Sequence, residues 1–131
     1  MATHWEQFKG GPTRPSNEYF GITINNKSDL TINRFTMKTL GNPEAVVLLF
    51  DKRESVIGLV STNRRNADAF PVIPKNGGQN WVIHTAPFCR HFGIVIDRTE
   101  RFDQPEIDNE GILRLDLKTT HNVSIPKRPG A

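Results

Sequence analysis

Between Ile22 and Gly41 the hydrophobic period of the chain switches from two to that of a helix, and this switch limits the folds open to it. Ile22 and Ile24 flank Thr23, and Leu30 and Ile32 flank Thr31, so each short run buries one face of a strand. The intervening Asn25-Asn26-Lys27-Ser28-Asp29 is a polar turn cluster. From Arg34 the spacing becomes helical: Thr36, Met37 and Leu40 share one face, and Arg34 and Lys38 share another. Asn33 stands at the N-cap, where its side-chain oxygen can accept an otherwise unpaired backbone N–H. Gly41 stands where a left-handed residue closes the helix. A helix this short does not survive alone, so a sheet must cover its apolar side.

The rest of the chain extends this β-β-α pattern. Asn42-Pro43-Glu44 is a turn, and Ala45 to Phe50 is a continuous apolar run that predicts a strand covered on both faces. Val56 to Val60 returns across the charged turn Asp51–Ser55 as the second arm of a hairpin. Gly58 within that arm predicts a bulge or a close backbone approach. After a polar stretch with Arg64-Arg65, the pattern recurs. Phe70 to Ile83 aligns with Phe20 to Ile32, around an Asn76-Gly77 hairpin signal that requires positive φ. A second helix is predicted over Ala86–Phe92, capped by Thr85 and ended by Gly93, with Phe88, Cys89 and Phe92 inward. Leu113, Leu115 and Leu117 then alternate with Arg114 and Asp116 in a last strand.

The expected architecture is mostly β with two short helices: two pseudo-repeated β-β-α-β-β units, offset by about fifty residues, forming one compact β-barrel-like domain. Its expected parts are an N-terminal arm (1–18), a first unit (19–60), a linker (61–68), a second unit (69–117) and a disordered C-terminal tail (118–131). Trp5 and Phe8 are the arm residues able to pin it to the body.

Composition narrows the function classes. A hydrophobic fraction of 36% with no apolar run long enough to span a bilayer points away from a membrane protein. The opening residues lack an apolar signal core, and a single cysteine forms no internal disulfide; both predict a cytoplasmic protein. The net charge of +3 permits contact with nucleic acid without demanding it.

The order Ile32-Asn33-Arg34 through Leu40-Gly41, followed by a Pro-containing turn and a Val-rich hairpin, resembles the AbrB/MazE family. The tandem arrangement is similar to that of MraZ-type proteins. Lys27-Ser28-Asp29 occupies the family's first turn, and Asn33 takes the position where members usually carry proline. The resemblance implies swapped-hairpin units that bind DNA from the face bearing the first turn and the helix start. Carried over, that face presents Lys27, Arg34 and Lys38 in the first unit and Lys75 and Arg90 in the second. Lysine and arginine there would displace condensed counterions from phosphates. Asn25, Asn26 or Asn76 could pair with adenine edges.

Other chemistry finds less support in these residues. His84, Cys89 and His91 do not match zinc-ligand spacing, and no nucleophile–base pair is evident. The acidic residues Asp97, Glu100, Asp103, Glu106, Asp108 and Glu110 lack the spacing of a calcium loop and read as a solvated hairpin that would repel DNA. No cofactor, no metal and no enzymatic activity are expected. The expected function is a DNA-binding transcriptional regulator or antitoxin-like protein. Its expected partners are double-stranded DNA and a second copy of the chain, with no membrane. The alternative is a non-enzymatic protein-interaction module.

Overall fold

The computed structural model describes residues 3–6 and 19–123. The expected arm falls largely outside these residues, Phe8 included; Trp5 is described and is 90% exposed. The fold is mostly β, with two short helices. Ile22–Ile24 (β1) and Asp29–Asn33 (β2) form the first hairpin, and Arg34–Thr39 (α1) follows. Ala45–Asp51 (β3) and Val56–Thr62 (β4) form the second. Phe70–Pro71 (β5), Ile73–Lys75 (β6) and Asn80–His84 (β7) lead into Ala86–Phe92 (α2). Glu100–Phe102 (β8), Glu106–Ile107 (β9), Leu113–Asp116 (β10) and Thr120–Asn122 (β11) complete it.

These strands make two antiparallel sheets, one of six strands in the order β11-β8-β1-β2-β7-β6 and one of five in the order β5-β3-β4-β10-β9. One apolar cluster joins them. Ile22, Ile24, Leu30, Ile32 and Ile83 enter it from the first sheet, Val46, Ile57, Leu59, Leu113 and Leu115 from the second. Met37, Leu40, Phe88 and Cys89 enter from the helices, as their spacing predicts. The two helices end alike. The N–H groups of Gly41 and Asn42 bond the carbonyls of Lys38 and Met37, and those of Gly93 and Ile94 bond Arg90 and Cys89.

The sheets do not close into the expected barrel. Both stay open, and one edge strand of each is short and carries a proline: Pro71 in β5 and Pro74 in β6 have no N–H to offer a further ladder. Four further expectations change. The segment expected to be a tail contributes β11, which pairs with β8, and only 124–131 lie outside the described residues. The linker is shorter than expected, since β4 runs through Thr62. Phe70–Pro71 does not open the second unit's hairpin but pairs with β3, and the chain crosses to the other sheet at buried Val72. β3 is not covered on both faces: Leu49, which alternates with buried Val46 and so faces away from the core, is 42% exposed. Gly58 is a close approach, not a bulge. Register is unbroken between Leu49 and Arg114, and a Cβ would stand 3.0 Å from Ile112 Cγ2. No helix of the described residues is long and apolar enough to cross a membrane.

Candidate nucleic-acid interface

In the six-stranded sheet, Leu30, Ile32 and Ile83 point to the core, so Asp29, Thr31 and Asn33 of β2 point outward. The β2–β7 ladder runs from Asp29 opposite His84 to Asn33 opposite Asn80. Its two ends are built from different residues.

At the Asn33 end the sheet face opens into a groove of about 600 Å³, lined by Tyr19, Gly21, Thr23, Thr31, Asn33, Arg34, Gln79, Asn80 and Arg101, with Ile22 at its base. Among the described residues no carboxylate lines it. The loop at Gly21 and the start of α1 hold one wall. Asn33 Oδ1 accepts from the Thr36 N–H at 3.0 Å and the Thr36 hydroxyl at 2.6 Å, which is the predicted N-cap. Asn33 Nδ2 donates to the Tyr19 carbonyl at 2.7 Å, and Asn33 N–H to the Gly21 carbonyl. A Cβ on Gly21 would lie 2.8 Å from Asn33 Nδ2, so this wall admits only glycine without a shift.

Two guanidinium groups serve the groove. Arg34, the first residue of α1, donates from Nη2 to the Gly78 carbonyl at 3.1 Å, which ties it to the turn before β7. Arg101, on β8 directly opposite Thr23, places its guanidinium carbon 5.1 Å from the centre of the Tyr19 ring. Neither has a carboxylate within ion-pairing distance among the described residues, although Arg101 is partly buried. Cations so placed keep most of their donors for an anionic ligand. Lys75 stands across the ladder from Asn80, exposed on the edge strand.

The residues expected from the sequence therefore divide. Arg34 and Lys75 come together at the groove end, and exposed Lys38 lies one turn along α1. Lys27 and Arg90 belong to the opposite end. There the Ser28 carbonyl accepts from the Thr85 N–H and hydroxyl, which joins the first hairpin's turn to the start of α2. The outward pair at that end is Asp29 and His84, with Oδ1 and Nδ1 2.8 Å apart. Arg101 and Gln79 escaped the sequence reading. The signal for Arg101 is its alternation with Phe102, which is buried, on a short strand.

The acidic residues of segment 97–110 are dispersed. Asp103 bonds His121, Asp108 Oδ1 accepts the Glu110 and Ile112 N–H groups, and Asp97 and Glu100 lie on a separate groove beside Phe92. Cys89 is buried with Sγ 3.6 Å from the Thr85 hydroxyl, while His91 is exposed. Among the described residues no three His, Cys, Asp or Glu side chains converge on a metal position. Comparison with protein-family models, with curated proteins and with solved structures finds no match.

Proposed function

We propose that the chain is a non-enzymatic, cytoplasmic DNA-binding protein, a transcriptional regulator or antitoxin-like protein, which docks on duplex DNA with the outward face of its six-stranded sheet. The observation that carries this reading is the groove between Arg34 and Arg101, free of carboxylates among the described residues. Two arginines without anionic partners among the described residues, on a face with threonine hydroxyls and side-chain amides, suit a phosphate backbone. Lys75 and Lys38 extend the cationic surface, and Lys27 and Arg90 supply weaker contacts at the far end.

The reading keeps the swapped-hairpin tandem. Its support is topological. The β1–β2 and β6–β7 hairpins meet through β2 and β7, and the β3–β4 and β9–β10 hairpins meet through β4 and β10. Each helix start bonds the turn of the other hairpin, Arg34 to Gly78 and Thr85 to Ser28. Self-association of two copies through a sheet edge belongs to the same reading.

A gel shift with random genomic fragments across a salt series tests it. Retardation at low salt that falls steeply as salt rises is the expected result, and Arg34→Ala/Lys38→Ala should weaken it without unfolding the chain. Binding that ignores these substitutions would refute the assignment.

A protein-interaction module is the second reading, favoured by the groove of Phe50, Phe92, Ile94, Val95, Ile96 and Leu117, in which Val95 is 80% exposed. Under it, Val95→Glu would remove a co-purifying partner, and the chain would show little DNA affinity at moderate salt.

A further inference from the structure

Contacts with duplex DNA either position the protein or read bases, and different groups do each. Base reading needs a side chain whose hydrogen-bonding groups are not already spent. Asn25, Asn26 and Asn76, the amides expected from the sequence, do not line the groove. Asn25 Oδ1 is also engaged, accepting the N–H groups of Lys27 and Asp29. Asn33 lines the groove but is committed to the Thr36 cap and the Tyr19 carbonyl. Gln79 and Asn80 remain. Both line the groove where the turn enters β7, and their side-chain amides have no hydrogen-bond partner among the described residues.

Their setting suits entry into a major groove. β6 is the terminal strand of its sheet, so the β6–β7 hairpin forms the sheet's edge, with β2 paired along its inner side and no neighbour on its outer side. The turn at its tip is exposed at Asn76, Gly77 and Gln79. The B-DNA major groove, about 12 Å wide, admits two adjacent strands, so the turn-bearing end of this edge hairpin can enter it. Arg34 is fastened to the same turn through Gly78, and Arg101 lies across the groove from it.

We infer that the β6–β7 hairpin enters the major groove of duplex DNA, that Gln79 and Asn80 read base edges there, and that Arg34 and Arg101 hold the flanking phosphates. This rests on the DNA-binding reading above and adds the source of its specificity. A carboxamide offers one donor and one acceptor side by side, the complement of adenine N7 and N6, so the preferred sites contain adenine at the contacted positions.

The test is selection from duplexes with a random-sequence core, followed by affinities for the selected and a scrambled duplex. The wild-type chain should enrich an adenine-containing site. Gln79→Ala and Asn80→Ala should each reduce the selected-to-scrambled affinity ratio about 10-fold or more. The slope of log affinity against log salt should persist in both, since no phosphate contact is removed. Circular dichroism monitors folding, and Gln79, exposed in the turn, serves if Asn80→Ala does not fold. Failure of the wild type to bind the random pool at low salt would overturn the DNA-binding reading itself. Binding without enrichment, or enrichment and ratios that survive both substitutions, would overturn this inference alone.

Discussion

The two ends of the β2–β7 ladder are joined in the same way and finished differently. At each end a helix start bonds the turn of the opposite hairpin: Arg34 reaches Gly78 at one, and Thr85 reaches Ser28 at the other. The groove end has an amide N-cap, two guanidinium groups and, among the described residues, no lining carboxylate. The far end has Asp29 against His84, and a helix that opens with Ala86-Pro87, without charge. Inside, the contrast reverses. α1 buries Thr36 and Met37, whereas α2 buries Phe88, which stacks edge-on with Phe92 and Phe50. One frame thus carries a polar, grooved end and a heavily packed end. The difference shows that the same helix-to-turn junction can be finished with polar or with apolar side chains.

Core truncations give the sharpest contrast. Phe88→Ala should cost about 3–5 kcal/mol in urea denaturation, through lost transfer energy and a residual cavity. Met37→Ala on α1 should cost less, about 2–3 kcal/mol, because methionine leaves a smaller void in a site that can relax. A larger loss at Met37 would break the comparison. Next comes the cap. Asn33→Ala removes the acceptor for the Thr36 amide and strands its fully buried hydroxyl, for an expected loss of about 2 kcal/mol. Thr85→Val removes the hydroxyl's bond to the Ser28 carbonyl and its weaker contact with Cys89 Sγ but keeps the shape, so about 1 kcal/mol is expected in the same assay.

The smallest effect lies away from both ends. The Lys118 backbone N–H, with its ammonium group, holds the Asp116 carboxyl below its ordinary value of 3.8. A depressed folded-state value means that the stabilisation is present above the ordinary carboxylate range and is lost as pH falls through the folded value. Asp116→Asn should therefore lower the melting temperature slightly at neutral pH, and the difference from wild type should vanish in acid. A difference that grows in acid would contradict this assignment.

Local chemistry made much of the fold legible. Asn33 caps α1 and Gly41 closes it, Gly93 closes α2, and Asn76 and Gly77 take positive φ, because caps and tight turns depend on a few adjacent residues; Thr85 precedes α2 but makes no side-chain cap bond, its hydroxyl donating to the Ser28 carbonyl instead. Pairing was less legible. Alternation in β2 and β7 says which face is buried but not that these strands adjoin. Phe70–Pro71 looks like a hairpin arm until its partner proves to be Val46 and Ala45 in the other sheet. Thr120–Asn122 has no apolar alternation, and only the β8 ladder makes it a strand. The candidate site suffered most. Arg34 was legible from its place at the helix start, but the groove needs Arg101 and Tyr19, which meet it only across the sheet.

The central claim is that the groove end of this face holds the DNA backbone. The most direct measurement is the slope of log affinity against log salt for a duplex probe, compared between Arg34→Ala/Arg101→Ala and Lys27→Ala/Arg90→Ala. Each lost phosphate contact lowers that slope by about 0.9, so the groove pair should lower it by about 1.8 and the far pair by clearly less. Equal losses for the two pairs, or a slope that the groove pair leaves unchanged, would contradict the account.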